Sequence, residues 1–213
     1  MTTDNHWVYI TPQNAVVDGK QLFSNPLQSS TSILTELYHN HIGDYPKFHK
    51  MDPLCKLGFV SSELLLDAEG KRNKAWGDQR GVILFNASSS LADDLNYQDT
   101  INDPANPFPS PSLFVYTLPN VVTGEIAIRN KFYGESNFIV LPTPDAAAMA
   151  NIIYSAFHDT ALQSLLTGWI DCFNEKCFCS LLWLVQRNSI QNRDDIFDNT
   201  RSLLTIVEQD RQQ

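Results

Sequence analysis

The chain has 213 residues and 24.1 kDa, with 43% hydrophobic and 18% charged residues. That size and composition fit one ordinary globular domain over residues 1–213, and exclude a coiled coil, a collagen-like chain and wholesale disorder. Lys and Arg number 15 against 24 Asp and Glu, so the net charge is −9 and the pI about 4.9, a poor match for a nucleic-acid backbone or an anionic membrane.

The opening MTTDNHWVYI has no basic stretch followed by an apolar one, so no targeting signal is expected. No apolar run approaches a membrane span. Four cysteines at this length do not make a disulfide scaffold. The expectation is a soluble cytoplasmic protein with reduced thiols and no membrane insertion.

Trp7 to Ile10 reads as a first strand, ending at Thr11-Pro12. Residues 13–30 read as loop, with Asp18-Gly19 as a turn signal. Asp52 to Leu66 reads as a largely buried helix, with Asp52 as its cap and Pro53 at the first helical position. Val82-Ile83-Leu84-Phe85 reads as a parallel strand covered on both faces, with Asn86 to Ser90 as the loop at its carboxyl end. Residues 97–112, rich in Asn, Asp, Pro and Ser and including Pro104, Pro107, Pro109 and Pro111, read as a long connecting loop.

Val121 to Asn130 is predicted to be helical, and Phe138 to Leu141 another strand. Thr143-Pro144-Asp145 reads as a helix start with Thr143 at the cap. The helix beyond it, Ala146 to Phe157, is apolar nearly all round and is expected to be buried on more than one side. Trp169-Ile170 and Cys179 to Val185 read as two closely spaced strands, which should be antiparallel. Ile196, Phe197, Leu203, Leu204 and Val207 give a closing amphipathic helix. The fold class is therefore α/β, with a mixed five-stranded sheet and helices on both faces.

Few residues offer chemistry. Cys172, Cys177 and Cys179, with His158 upstream, lack the ligand spacing of a zinc site and read as small hydrophobes. His39, His41 and His49 read as solvated or structural. Ser88 to Ser90 follow a strand, where sites of α/β proteins often lie, yet no G-x-S-x-G elbow surrounds them. No phosphate-binding loop and no G-x-G-x-x-G is present. No metal and no cofactor is expected.

Two segments carry a family signal. KMDPLCKLGFVSSELLL (50–66) resembles the early helix of β-ketoacyl synthases. PSPSLFVYTLPNVVTGEIAIRNKFYGES (109–136) resembles their segment with a Pro-Asn pair, a glycine and an Ala-Ile-Arg. Those points fall here on Pro119-Asn120, Gly124, Ala127-Ile128-Arg129 and Gly134. The resemblance covers most of residues 7–186 and implies a thiolase-like half-fold, the amino-terminal half of the synthase fold.

In active synthases the next strand leads into a nucleophilic cysteine at the start of a buried helix. That position falls here on Thr143 or Pro144, so no catalytic residue is expected. Asp145 adds a negative charge where a helix start would otherwise hold an anion. The family's decarboxylating histidines and lysine belong to the other half of the fold. The resemblance therefore implies a non-catalytic subunit of the chain-length-factor type, like the short versions that accompany ketosynthases in aryl-polyene and flexirubin-type pigment clusters. It would pair with an active β-ketoacyl synthase, shape the acyl tunnel and be visited by an acyl carrier protein. The family analogy places partner contacts at strand 138–141, including Phe138 and Val140, and at the region of Leu118, Pro119, Asn120 and Val122. It points Phe114, Tyr116 and Leu118 towards the tunnel and counts Asp145 with the same set. Two other readings stay open: an independent homodimeric acyl-binding protein, and an enzyme whose nucleophile is one of Ser88 to Ser90 or Cys172.

Overall fold

The computed structural model describes residues 6–24, 32–70, 74–102, 104, 108–158, 161–174 and 177–210. Its elements run β1 (Trp7–Ile10), β2 (Asn14–Val17), β3 (Lys20–Ser24), α1 (Ile33–His41), α2 (Pro53–Ala68), β4 (Arg80–Asn86), α3 (Leu91–Asn102), α4 (Pro111–Tyr116), α5 (Val121–Asn130), β5 (Ser136–Val140), α6 (Ala146–Ala156), β6 (Ser164–Asn174), β7 (Cys177–Gln186) and α7 (Arg193–Asp210). The strands form one sheet in the order β3-β2-β1-β7-β6-β4-β5. β4 is parallel to β5 and β6, and every other neighbouring pair is antiparallel. The mixed sheet and the antiparallel closing pair are as the sequence predicts, but the sheet has seven strands among the described residues rather than five.

The two extra strands lie in the segment read as loop. β2 and β3 flank Asp18-Gly19, where φ is +49° and +77°. Two successive left-handed residues are what a tight hairpin turn with the right twist requires. The Asp18 carboxylate also holds the Trp7 amide at 2.8 Å. β3 is an outer strand with mostly exposed side chains, so its sequence lacks the apolar run that marks a buried strand. Residues 25–30 of that predicted loop lie outside the described residues.

Side chains alternate across the central strands and feed two cores. Val8, Ile10, Val82, Leu84, Leu166, Ile170, Leu182 and Leu184 pack under α1, α2 and α5. Tyr9, Ile83, Phe85, Leu165, Trp169, Leu181 and Trp183 pack under α6 and α7. Helices thus cover both faces. α2 crosses its face closely because of Gly58, where a Cβ would lie 3.1 Å from Ile170 Cδ1 and would run into Val122.

At the amino-terminal end of β4, Arg80 is fully buried. It donates two bonds to Glu69, at 2.7 and 2.8 Å, and stacks on Trp76 with its guanidinium carbon 3.8 Å from the ring centre. Gln186 donates to the same carboxylate at 3.0 Å. This network ties the end of α2 to β4 and β7.

Three further readings are corrected. Residues 97–112 are not one long loop: α3 runs to Asn102 and α4 starts at Pro111, capped by Ser110. Only Asp93 of α3 is buried, so that helix has no apolar stripe to announce it. Pro107 lies outside the described residues. The cap of α6 is Asp145, whose Oδ1 accepts from the amides of Ala147 and Ala148 at 2.9 and 3.0 Å, and Thr143 sits exposed ahead of it. Finally, α6 is buried along one side only, through Met149, Ala150 and Ile153, while α7 half-covers Ile152 and Tyr154. Its open stripe is Ala147, Asn151 and Ser155, which is small and polar.

Candidate functional site

Because β1, β4, β5 and β6 all run the same way, their carboxyl ends lie together at one edge of the sheet. Ligand sites of open α/β sheets lie at that edge. An open groove of about 460 Å³ occupies part of it, lined among others by Tyr9, Gln13, Ser88, Asp171, Cys172 and Phe178. The serines there are committed to structure. Ser88 Oγ donates to Asp171, with no imidazole between them, and Ser90 Oγ donates to the Thr117 carbonyl at 2.6 Å. Asn86 closes the turn by accepting from the Ser89 amide at 3.0 Å and donating to the Ser89 carbonyl at 2.8 Å. A serine nucleophile needs a general base that is itself oriented, and this arrangement has none.

The two buried thiols, Cys55 and Cys172, are no better suited to attack. Burial, followed by the nearby Asp52 charge, pushes the Cys172 thiol well above its ordinary value. Burial does the same to Cys55. A thiol so shifted is not a thiolate at neutral pH. Cys172 packs in the core under α2 and Cys179 against the core under α6, so the two lie on opposite faces of the sheet. Among the described residues no group of three or more His, Cys, Asp or Glu is placed to hold a metal ion. His39 and His49 belong to an aromatic knot around Tyr38, with ring centres 5.5 and 5.4 Å from its own.

Next to this edge, α3 and α4 form a corner. It displays a group of exposed apolar side chains: Leu95, Ile101, Phe108, Phe114, Val115 and Leu118. Phe114 and Leu118 are 52% and 51% exposed, and Tyr97 braces Phe114 at 5.4 Å between ring centres. A group of large apolar side chains left exposed on two packed helices is a candidate contact face. Tyr116, half-buried, turns inward and donates its hydroxyl to the Lys50 carbonyl at 3.1 Å. Its phenol is pushed up to about 12, first by burial and then by nearby Cys55 and Asp52.

The other residues expected at the site divide. Pro119 is half-buried and Asn120 exposed at the start of α5. Val122 is 1% exposed and packs on Gly58, so it is a core residue that no partner can reach. Val140 is 49% exposed at the end of β5, and Phe138 is half-buried against the α2-side core. β5 is an outer strand of the sheet, hydrogen-bonded to β4 alone. Residues 141–145 then turn into α6, anchored where the Leu141 amide donates to the Asn86 carbonyl at 2.8 Å. Thr143 and Asp145 are exposed in this turn and Pro144 is half-buried.

Beneath the corner lies a buried acid cluster that the sequence reading passed over. It comprises Asp52, Asp93 and Glu125, none more than 9% exposed. Lys47 pairs with Glu125 at 2.6 Å, which raises the lysine further above its usual range. The sequence carries two separate signals, Asp52 as a helix cap and Asp93 with Asp94 in a first helical turn, and nothing in it joins them.

Neither a protein-family model nor a curated protein matches the sequence. Solved structures do. The ishigamide ketosynthase/chain length factor superposes with a TM-score of 0.64 at 15% identity, over 89% of this chain and 63% of that one. A ketosynthase (ApeO) in complex with its chain length factor (ApeC) from Xenorhabdus doucetiae gives 0.51 at 12% identity, over 84% and 76%. A type II PKS acyl-carrier protein in complex with its ketosynthase bound to the hexaketide (AntDE:AntF) gives 0.50 at 12%, over 74% and 56%. The likeness is one of fold. This chain has the mixed α/β, thiolase-like fold of ketosynthase and chain-length-factor proteins, and it spans less than two thirds of the ishigamide chain's length.

Proposed function

We propose that the chain is a non-catalytic, chain-length-factor-type subunit. It pairs with an active β-ketoacyl-ACP synthase and shapes the acyl tunnel of the pair in polyketide or fatty-acid-like biosynthesis, of the aryl-polyene or flexirubin kind. It works as a single cytoplasmic domain, and acyl carrier protein visits the complex on the synthase side. The observation that carries the reading is an outer β5 strand packed by α5, with the exposed apolar corner of α3 and α4 directly ahead of α5 in the chain. Phe114 and Leu118 would line the tunnel or its mouth, and Val140, Pro119 and Asn120 would meet the partner.

Three features support a subunit without its own chemistry. The position matching the synthase nucleophile carries Thr143 or Pro144, and neither is a thiol. The amides at the start of α6 are already taken by Asp145, so an oxyanion would meet a carboxylate there. In the groove, Cys172 is buried with its thiol pushed up, and Ser88, like Ser90 nearby, is held by a hydrogen bond. Among the described residues no helix is long and apolar enough to cross a membrane.

The test is co-expression with the ketosynthase encoded nearest to this chain, followed by size exclusion with light scattering and a synthase assay. The expected result is a stable one-to-one complex, with product formed only when both chains are present. A self-sufficient monomer or homodimer that ignores the synthase would overturn the proposal and move the reading to an independent acyl-binding protein.

A further inference from the structure

Asp52 caps α2 through Oδ2, which accepts from the Leu54 and Cys55 amides at 2.9 and 3.2 Å. Its other oxygen, Oδ1, is enclosed and has no fixed donor. Asp93, in the first turn of α3 and 5% exposed, places its carboxyl in hydrogen-bond contact with Asp52. Two carboxylates cannot make such a contact. A carboxylic acid and a carboxylate can, with the acid donating its O–H to the oxygen that lacks a donor.

We propose that Asp52 and Asp93 share one proton, and that this proton latches the first turn of α3 onto the start of α2, so that the α3–α4 corner opens more readily as the pH rises.

The surroundings favour the shared proton. Cys55, whose thiol also hydrogen-bonds to Asp52, faces the pair from α2, Asp94 from α3, Tyr116 from α4 and Cys172, with Asp171 near it, from β6, while Glu125 of α5 lies near Cys55 and Tyr116. None of these groups is a cation, and Lys47 at the rim is taken up by Glu125. Burial, then the Asp52 charge and hydrogen bond, push the Asp93 carboxyl up to about 8. The corner moves with α3, because Ser90 holds the Thr117 carbonyl and Tyr97 packs on Phe114.

The sign follows from linkage. Closed, Asp93 keeps its proton to about pH 8; opened to water, it releases it near the ordinary value of 3.8. The latch is therefore fully closed below the open-state value and weakens as pH climbs towards 8. Opening grows roughly tenfold per pH unit across that window and is level above it. Any effect on partner pairing rests on the proposed function; the latch itself does not.

Amide exchange on the full chain between pH 5.5 and 9, corrected for the intrinsic rate, measures the opening constant for residues 91–117. The expected result is a rise of roughly tenfold per unit up to about pH 8 and a plateau beyond, with the slope abolished in Asp93→Asn. A carboxyl-carbon NMR titration reads the group directly: one carboxyl titrates near 8 and vanishes in the same variant. Should Asp93→Asn fail to fold, Asp52→Asn keeps a competent cap and should bring the Asp93 titration down. A flat wild-type profile, an equal slope in Asp93→Asn, or no carboxyl titrating above about 6 overturns the latch. A chain that shows the latch yet never pairs with a synthase overturns the proposed function instead.

Discussion

Asp145 is exposed, yet it decides how α6 begins. Its carboxylate takes two amides that the helix leaves open, and the polypeptide enters at φ −124° and ψ 104°. Replacing it with alanine should lower stability by about 1 kcal/mol, read as a shift in the urea midpoint, because a lost cap costs that much. Asn also caps, so Asp145→Asn should stay close to wild type. Loss of synthase activity in the Asn variant, with an unchanged midpoint, would show that the carboxylate has a task in the complex beyond the cap.

At the scale of elements, covered and uncovered surfaces are unevenly placed. α7 closes over α6, so the apolar composition of α6 is used inside the chain and leaves no patch for a partner. The corner of α3 and α4 instead carries a group of exposed apolar side chains, and Val140 is exposed on the outer strand β5. Leu118→Arg or Val140→Lys should therefore abolish the complex with a synthase while moving the isolated chain's stability by less than about 0.5 kcal/mol, as surface changes do. Pull-down and thermal melting of each variant check both halves of that statement. This division was only partly legible in the sequence. α2 and α5 were readable because their apolar positions sit between clear stops, Asp52-Pro53 before one and Pro119-Asn120 before the other. α3 was not, since it packs through its first turn and through α4 and has no buried stripe. β2 and β3 were hidden by their place at the sheet's outer end, though the Asp18-Gly19 turn between them was visible. α1 carries its own signal, Ile33, Leu34, Leu37 and Tyr38 at helical spacing. Phe114 and Leu118, which the family resemblance points towards a tunnel, are exposed, whereas Val122 is buried, and the Asp52–Asp93 contact joins residues too far apart in sequence to be read as a pair.

For the whole molecule, the two ends of the sheet have different tasks. The end that carries the groove and the corner is built from strand ends and the helices α3 and α4, while the opposite end is fixed by the Glu69–Arg80–Gln186 network, with Arg80 at 0% and Glu69 at 3% side-chain exposure. Glu69→Ala would strand a buried guanidinium, and should cost about 3–5 kcal/mol in equilibrium unfolding, far more than any change at the corner. The sheet also joins distant parts of the chain: Trp7 lies opposite Trp183, and β1 reaches the rest of the sheet only through β7. On the ribosome, the β1–β3 meander is therefore made first and finished last. It must wait, with one edge unmatched, until residues 177–186 have emerged. During that interval β4 and β5 are already out, and a second exposed edge stands ready to pair with whatever nascent strand is near. Synthesis beside its partner would shorten that exposure. Stalled nascent chains should resist protease in the region of residues 7–17 only after β7 has cleared the exit tunnel.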